Sequence, residues 1–258
     1  PGAMKLIEPL AKRAVRKQVP EKKLRDKIMP NFTIGCKRII FSNEHYPALR
    51  ADNTRLIASP LSKIDGNRVI ADNGEEMEAD VIIFGTGFQV TPPPVANKVR
   101  CPNGELLSER WAREGPEAYL GTTVHDLPNA FIMVGPNILV YSSFIEIAEW
   151  QGNYIVDGIT QMEANDLAWF NLPRETSREY NERVQRDLQG TVWNNGGCHS
   201  YYLDENGRNL AAWPWGVEAL GEALQRFDRI NYQVSRGRGV PVDAPARSEA
   251  KKEAEAMA

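Results

Sequence analysis

The sequence predicts an α/β fold. Between Arg38 and Phe84 the apolar residues come in short runs or alternate, as strands do, and after Ser143 they recur every three or four positions, as on amphipathic helices. Strand candidates that are apolar on both faces, alternating with such helices, call for layers on either side of a sheet.

Residues 5–29 carry nine Lys/Arg against three acids, with Leu6, Leu10, Leu24 and Ile28 at helical spacing. This reads as the solvated face of two short helices. A basic nucleic-acid arm is the rival reading, and the lack of interleaved aromatics weakens it. Arg38–Ser42, Arg55–Ser59 and Arg68–Ala71 are strand candidates, and Asp72-Asn73-Gly74 after the last is a turn signal. Val81–Phe84 forms a further strand candidate, followed by the Gly85-Thr86-Gly87 turn and a connection containing Pro92, Pro93 and Pro94. A polar segment around Trp111 leads to a candidate strand at Ala130–Val134, which ends in Gly135-Pro136-Asn137. Ser143 and Glu146 have the spacing of a capping box, with Phe144, Ala148, Ile155 and Ile159 on one face of the helix that follows. Thr176 and Glu179 open a second helix with Tyr180, Val184 and Leu188 on its stripe and Gly190 as its stop, and a third is predicted over Val217–Phe227.

With 31 Lys+Arg against 34 Asp+Glu, the balance of charge does not announce a nucleic acid or a membrane as partner. Cys36, Cys101 and Cys198 are few and scattered, so no disulfide framework is expected, and three dispersed histidines make a zinc site unexpected. No apolar run approaches the roughly 20 residues of a membrane helix, so a cytoplasmic, reducing setting is the expectation. Pro1-Gly2-Ala3 before Met4 reads as a cloning remnant, and the small, charged stretch 237–258 is expected to be disordered.

Three stretches have residues suited to chemistry. The Lys37-Arg38 pair at a loop-to-strand junction suits a phosphate or a developing anion, with Cys36 beside it read as packed rather than reactive. The turn 135–137, Ser142, Ser143 and the helix after them present backbone N–H groups to an anion or a ring carbonyl. Trp193, Tyr201 and Tyr202 in "TVWNNGGCHSYYLDENGRN" can stack a flat ligand or plug a core, and His199 has no partner that marks it as catalytic.

Taken in order, these stretches resemble the C-terminal half of a flavoprotein monooxygenase of the Baeyer–Villiger class. "IGCKRIIFSNEHYPAL" (34–49) resembles the family's GCKR segment, and "EADVIIFGTGF" (78–88) resembles its D-x-x-x-x-A-T-G-F strand and turn, with Gly85 where relatives have Ala. "EAYLGTTVHDLPNAFIMVGPN" (117–137), "TVWNNGGCHSYYLDENGRN" (191–209) and "RFDRINY" (226–232) resemble its later segments. The resemblance implies residues 1–30 as a remnant of the helical insertion, 31–95 as the second part of the NADP-binding domain and 96–236 as the C-terminal part of the FAD-binding domain. It implies FAD and NADPH as cofactors, and insertion of one oxygen atom into a ketone or a soft heteroatom.

In that reading Arg38 stabilises negative charge beside the flavin and the nicotinamide, Lys37 contacts NADP, and Tyr201 packs on NADP where relatives often have Trp. Thr86 and Gly87 lie beside the cofactors, and Gly135, Pro136, Asn137, Ser142 and Ser143 face the flavin. The family's two GxGxxG fingerprints precede the GCKR segment, and no strand–GxGxxG–helix occurs in the 258 residues. The resemblance therefore implies a partner carrying the N-terminal half. Where relatives have glycines and a His, this chain reads Ile138-Leu139-Val140-Tyr141, one residue shorter, which leaves a non-catalytic binding or scaffolding half as the alternative.

Overall fold

A computed structural model of the chain describes residues 2–87, 93–140, 142–198 and 200–237. It divides into two units, the first made of Pro1–Phe88 with Gly196–Cys198 and the second of Gln89–Asn195 with His199–Ala258.

In the first unit the basic N-terminal stretch forms two helices, α1 (Gly2–Gln18) and α2 (Lys22–Ile28). Val15 and Val19 are buried, whereas Leu6, Leu10 and the cations Arg13, Arg16 and Lys17 face solvent. A short helix α3 (His45–Leu49) follows. The strands β1 (Leu61–Asp65), β2 (Arg68–Ala71) and β3 (Glu76–Glu78) make an antiparallel meander. Gly66, at φ +64°, and Gly74, at φ +81°, sit in its two turns, where a left-handed backbone favours glycine.

The sequence expectations for strands fare unevenly. β2 and the Asp72-Asn73-Gly74 turn are where the pattern placed them, but the strand expected at Arg55–Ser59 forms six residues later as β1. Pairing decides this: Asp65-Gly66-Asn67-Arg68 closes a two-residue hairpin that fixes β1 against β2. Residues 38–42, 81–84 and 130–134 belong to no β-ladder among the described residues. A strand needs a ladder of neighbours for its backbone groups; among the described residues 38–42 and 81–84 show none, and in 130–134 the Ile132 N–H meets a single carbonyl, that of Thr122, at 2.7 Å.

The second unit holds the apolar core. Its helices are α4 (Leu107–Glu114), α5 (Phe144–Ala164), α6 (Arg174–Leu188), α7 (Val192–Asn195) and α8 (Val217–Ala223). Strands β4 (Trp169–Asn171) and β5 (Gln233–Ser235) pair antiparallel, with Trp169 opposite Ser235. Ile147 and Tyr154 of α5, Phe170 of β4, Leu220 of α8, Phe227 and Tyr232 pack together. The Phe227 ring lies 4.5 Å from that of Tyr232 and 4.8 Å from that of Phe170. The segment around Trp111 is α4, which buries Leu107, Arg110 and Trp111.

α5 begins where expected but presents another face. Ile147, Gln151, Tyr154 and Gly158 are buried, while Phe144 and Ile159 of the predicted stripe are exposed. Gln151 is tolerated inside because its amide oxygen accepts from the Val134 N–H at 2.7 Å and its nitrogen donates to the Gly121 carbonyl at 2.9 Å. Gly158 is needed there because a Cβ would sit 2.9 Å from the Phe227 ring. The capping box does not form either: Ser143 makes no cap bond, and Glu146 instead accepts from the Ser142 hydroxyl. α6 carries the expected Val184 and Leu188 stripe but starts two residues early, after Pro173, where the fixed proline φ suits a helix entry. α8 stops at Ala223, short of the expected Phe227. The tail expectation falls on residues 238–258, outside the described ones.

Candidate cofactor site

The Lys37-Arg38 pair sits at the end of a tight loop. Gly35 has φ +88°, and the Cys36 N–H donates to the Thr33 carbonyl at 3.1 Å, which turns Cys36 inward and leaves Lys37 and Arg38 exposed. The Lys37 ammonium stands 5.2 Å from the centre of the Phe32 ring, a cation–π distance. Beside this loop runs a groove of about 770 Å³. Lys12 and Val15 of α1, Phe32, Lys37, Arg38 and Tyr46 of α3 are among the residues that line it. Glu8 pairs with Lys12 inside the groove and Glu44 also lines it, so Lys37 and Arg38 dominate its positive charge at the loop end. An apolar wall with two cations at one end suits an amphipathic anion. The aromatic members of this wall, Phe32 and Tyr46, are not apparent from the sequence, because only α3 and the Gly35 turn bring them to the pair.

Cys36 is not merely packed: it is bonded to Cys198, 162 residues away, a single disulfide where the scattered cysteines led to the expectation of no disulfide framework. Cys101 remains a buried thiol, which burial above all pushes upward from its ordinary pKa. Thr86 and Gly87 are exposed, Gly87 at φ +87° with open space around it, and neither lines the groove.

In the second unit the turn after Val134 is built by close backbone approach. A Cβ on Gly135 would lie 2.6 Å from the Gly121 carbonyl oxygen, to which the Gly135 N–H donates at 3.0 Å. Pro136 is buried. Asn137, at φ +55°, donates its side-chain amide to the Asn209 carbonyl at 2.7 Å and to that of Ala212 at 3.1 Å. Its Oδ1 is buried with no hydrogen-bond partner among the described residues. Ile138 and Val140 enter the core, and Leu139 makes a parallel bridge with Ala212. Two of the four bulky residues in this loop therefore turn inward, and Tyr141 lies outside the described residues. Ser142 and Ser143 stand at the start of α5, with Ser143 exposed. Tyr201 is 62% exposed and edge-on to the buried Tyr202 at 4.8 Å, while Trp193 packs beside Val184 and Leu188. His199 lies outside the described residues.

The strongest electrostatic perturbations lie elsewhere, in the core. The Asp228 carboxylate accepts from the hydroxyls of Tyr119 and Tyr154 and, at 2.6 Å, from the Asn231 amide. Burial first holds both phenols well above the ordinary tyrosine range, reinforced by the Asp228 charge and, at Tyr154, by Tyr232 ahead of it. Among the described residues no group of His, Cys, Asp and Glu is placed to hold a metal ion, and no helix is long and apolar enough to cross a membrane.

Comparison with known proteins gives this geometry its context. A Baeyer–Villiger monooxygenase of Streptomyces coelicolor is 40% identical over 248 residues, covering 95% of this chain and 48% of the relative. The chain belongs to the Baeyer–Villiger monooxygenase family. A second such monooxygenase, from Pseudomonas aeruginosa, is 39% identical over 240 residues, or 91% of this chain and 45% of the relative. The chain thus spans about half the length of the curated relatives it matches. The structure of OTEMO in complex with FAD and NADP superimposes with a TM-score of 0.78 at 18% identity, over 91% of this chain and 45% of that one, a likeness of fold. No family model matches the chain.

Proposed function

We propose that this chain is the C-terminal part of an FAD- and NADPH-dependent monooxygenase. With a companion half that supplies the GxGxxG loops, it inserts one oxygen atom of O2 into a ketone or a soft heteroatom. One observation carries the need for a companion: among the described residues the apolar runs Ile39–Phe41 and Val81–Phe84 are in no β-ladder and lie exposed, with Phe41 at 94% and Ile83 at 89%. Apolar strands of this kind belong inside a sheet covered on both faces. The match to about half of each relative agrees with that reading.

The residues at hand fit part of the cofactors. The groove end at Lys37 and Arg38 suits the anionic portion of a nucleotide, and Tyr201 offers an exposed ring for stacking. The turn 135–137 fits less directly, since Gly135 is used up against Gly121 and Asn137 against 209–212; the backbone around Ser142 and Ser143 is the more open approach. Bound FAD and NADPH supply the oxygen activation and the reducing equivalents. Arg38 supplies a cation that cannot lose its proton, set to hold negative charge developing during oxygen insertion. Lys37 binds phosphate or ribose as a point charge beside the apolar wall.

The second reading, a non-catalytic binding half, draws on the same exposed runs and on the inward-turned 138–140 segment. Arg38→Ala in the reconstituted two-part enzyme separates the two. Catalysis predicts a loss of product formation of roughly 100-fold or more, as for removal of a charge-stabilising donor, and unchanged turnover leaves the binding reading.

A further inference from the structure

We propose that Cys36 and Cys198 form a reversible redox latch on the loop that carries Lys37 and Arg38. The pair has a Cα–Cα separation of 6.0 Å, within the ordinary range for a disulfide. The Cys198 N–H points at the Cys36 sulfur from 3.3 Å. Gly196–Cys198 form a three-residue excursion: the chain on either side belongs to the second unit, and these three belong to the first. The Thr33 N–H donates to the Gly196 carbonyl at 2.8 Å, so the excursion is held to the 33–38 loop by a hydrogen bond and one covalent bond. Gly197, at φ +75°, is exposed, and a Cβ there would meet nothing within 4 Å.

The two sulfurs differ in access. Cys36 is 1% exposed, whereas Cys198 is half-buried, so an incoming thiolate reaches Cys198 first. A low-molecular-weight thiol such as glutathione attacks the Cys198 sulfur. The Cys36–Cys198 bond breaks, its electron pair passes to the Cys36 sulfur, and that sulfur takes a proton. A second glutathione then attacks the mixed disulfide and leaves as glutathione disulfide, so two thiols are oxidised as the protein pair is reduced. The reverse sequence re-forms the latch. Cys101 takes no part, being buried in the second unit with its thiol pushed up by burial. In the oxidised state Arg38 lies two residues from a covalent anchor, and in the reduced state that anchor is gone.

The latch can be read on the chain alone, independently of oxygenase activity. The full chain is equilibrated in glutathione buffers of graded ratio, its thiols are alkylated, and its peptides are mapped by mass. The expected result is a Cys36–Cys198 linked peptide in oxidising buffer that gives way to two alkylated peptides as glutathione rises, with Cys101 unchanged. Trypsin cleavage after Lys37 and Arg38 is expected to be about tenfold faster in the reduced chain, as local opening is freed. C36S/C198S should be cut at the reduced rate in both buffers. Absence of the linked peptide at every ratio overturns the proposal, and so does equal cleavage of the linked and reduced wild-type chain, a comparison that needs no variant.

Discussion

Phe227 and Phe41 are both large aromatic residues, yet one is 3% exposed, stacked on Tyr232 beside Phe170, and the other is 94% exposed in a run with no β-partner among the described residues. The same contrast holds for the two units that contain them. The second unit gathers most of the chain's buried apolar residues in three clusters and satisfies polar groups inside them, as the Gln151 and Asp228 networks show, though Phe144 and Ile145 stay exposed on α5. The first unit buries little beyond Val15, Val19, Cys36 and Ala71, and is tied by exposed ion pairs such as Arg50–Glu21, a small meander and a disulfide. The second unit has an apolar core of its own, while in the first the apolar runs 39–41 and 81–84 stay exposed, outside any β-ladder among the described residues.

That contrast can be broken most forcefully in the second unit's core. Phe227→Ala removes a ring packed among Tyr154, Phe170 and Tyr232 and should cost about 3–5 kcal/mol, whereas Phe41→Ala should leave the unfolding midpoint of the chain unchanged; urea titration of both variants measures this.

Glycine substitutions sharpen the comparison at smaller amplitude. A Cβ on Gly121 would stand 2.7 Å from the Ile138 Cβ at a left-handed φ of +57°, so Gly121→Ala should cost about 3 kcal/mol. Gly66→Ala, with the same left-handed backbone and nothing within 4 Å, should cost only about 1–2 kcal/mol. Equal losses in thermal unfolding would contradict the packing difference.

Titration should probe the second unit next, since the groups concerned all belong to it. Tyr119 and Tyr154 have folded pKa values raised above the ordinary tyrosine value of 10, so the native state holds their protons more tightly than the unfolded chain. Their contribution to stability is complete below pH 10 and is lost as pH rises above it. Alkaline unfolding should therefore coincide with the phenolate absorbance of these core tyrosines, and Asp228→Asn, which removes the neighbouring charge, should weaken that coupling. At the acid end, the Glu105 carboxyl is held at about 2, chiefly by its hydrogen bond from Arg110 and then by Asn103. A lowered carboxylate stabilises above its unfolded value of 4.5 and is lost as pH falls from there to about 2. Glu105→Gln should flatten the stability profile across that window, the smallest of these effects.

How far all this was legible in the sequence differs between the units for the same reason. α5 and α6 could be placed because helices carry their own hydrogen bonds, so local pattern suffices. The buried face of α5 could not, because Gln151 and Gly158 are chosen by what they meet, Gly121 and Phe227, far along the chain. β1 was displaced by six residues, though the Asp65-Gly66-Asn67 turn carried a signal for the correct hairpin. The strands at 38–42 and 81–84 were legible as apolar and extended, but a strand becomes one by pairing, and pairing is not local. Of the candidate site, the Lys37-Arg38 loop could be found from composition and turn chemistry. Its groove and its bond to Cys198 could not, since both depend on residues brought from elsewhere in the first unit.

The central claim is that the chain needs a companion half to hold flavin, and it is tested most directly by visible absorbance after incubation with FAD and removal of the free cofactor. The measurement is made on the chain alone and on the chain mixed with the N-terminal half of the Streptomyces coelicolor relative. The expected result is a colourless chain alone and flavin bands retained by the mixture; full flavin occupancy on the chain alone, or none on the mixture, would contradict the need for a companion half.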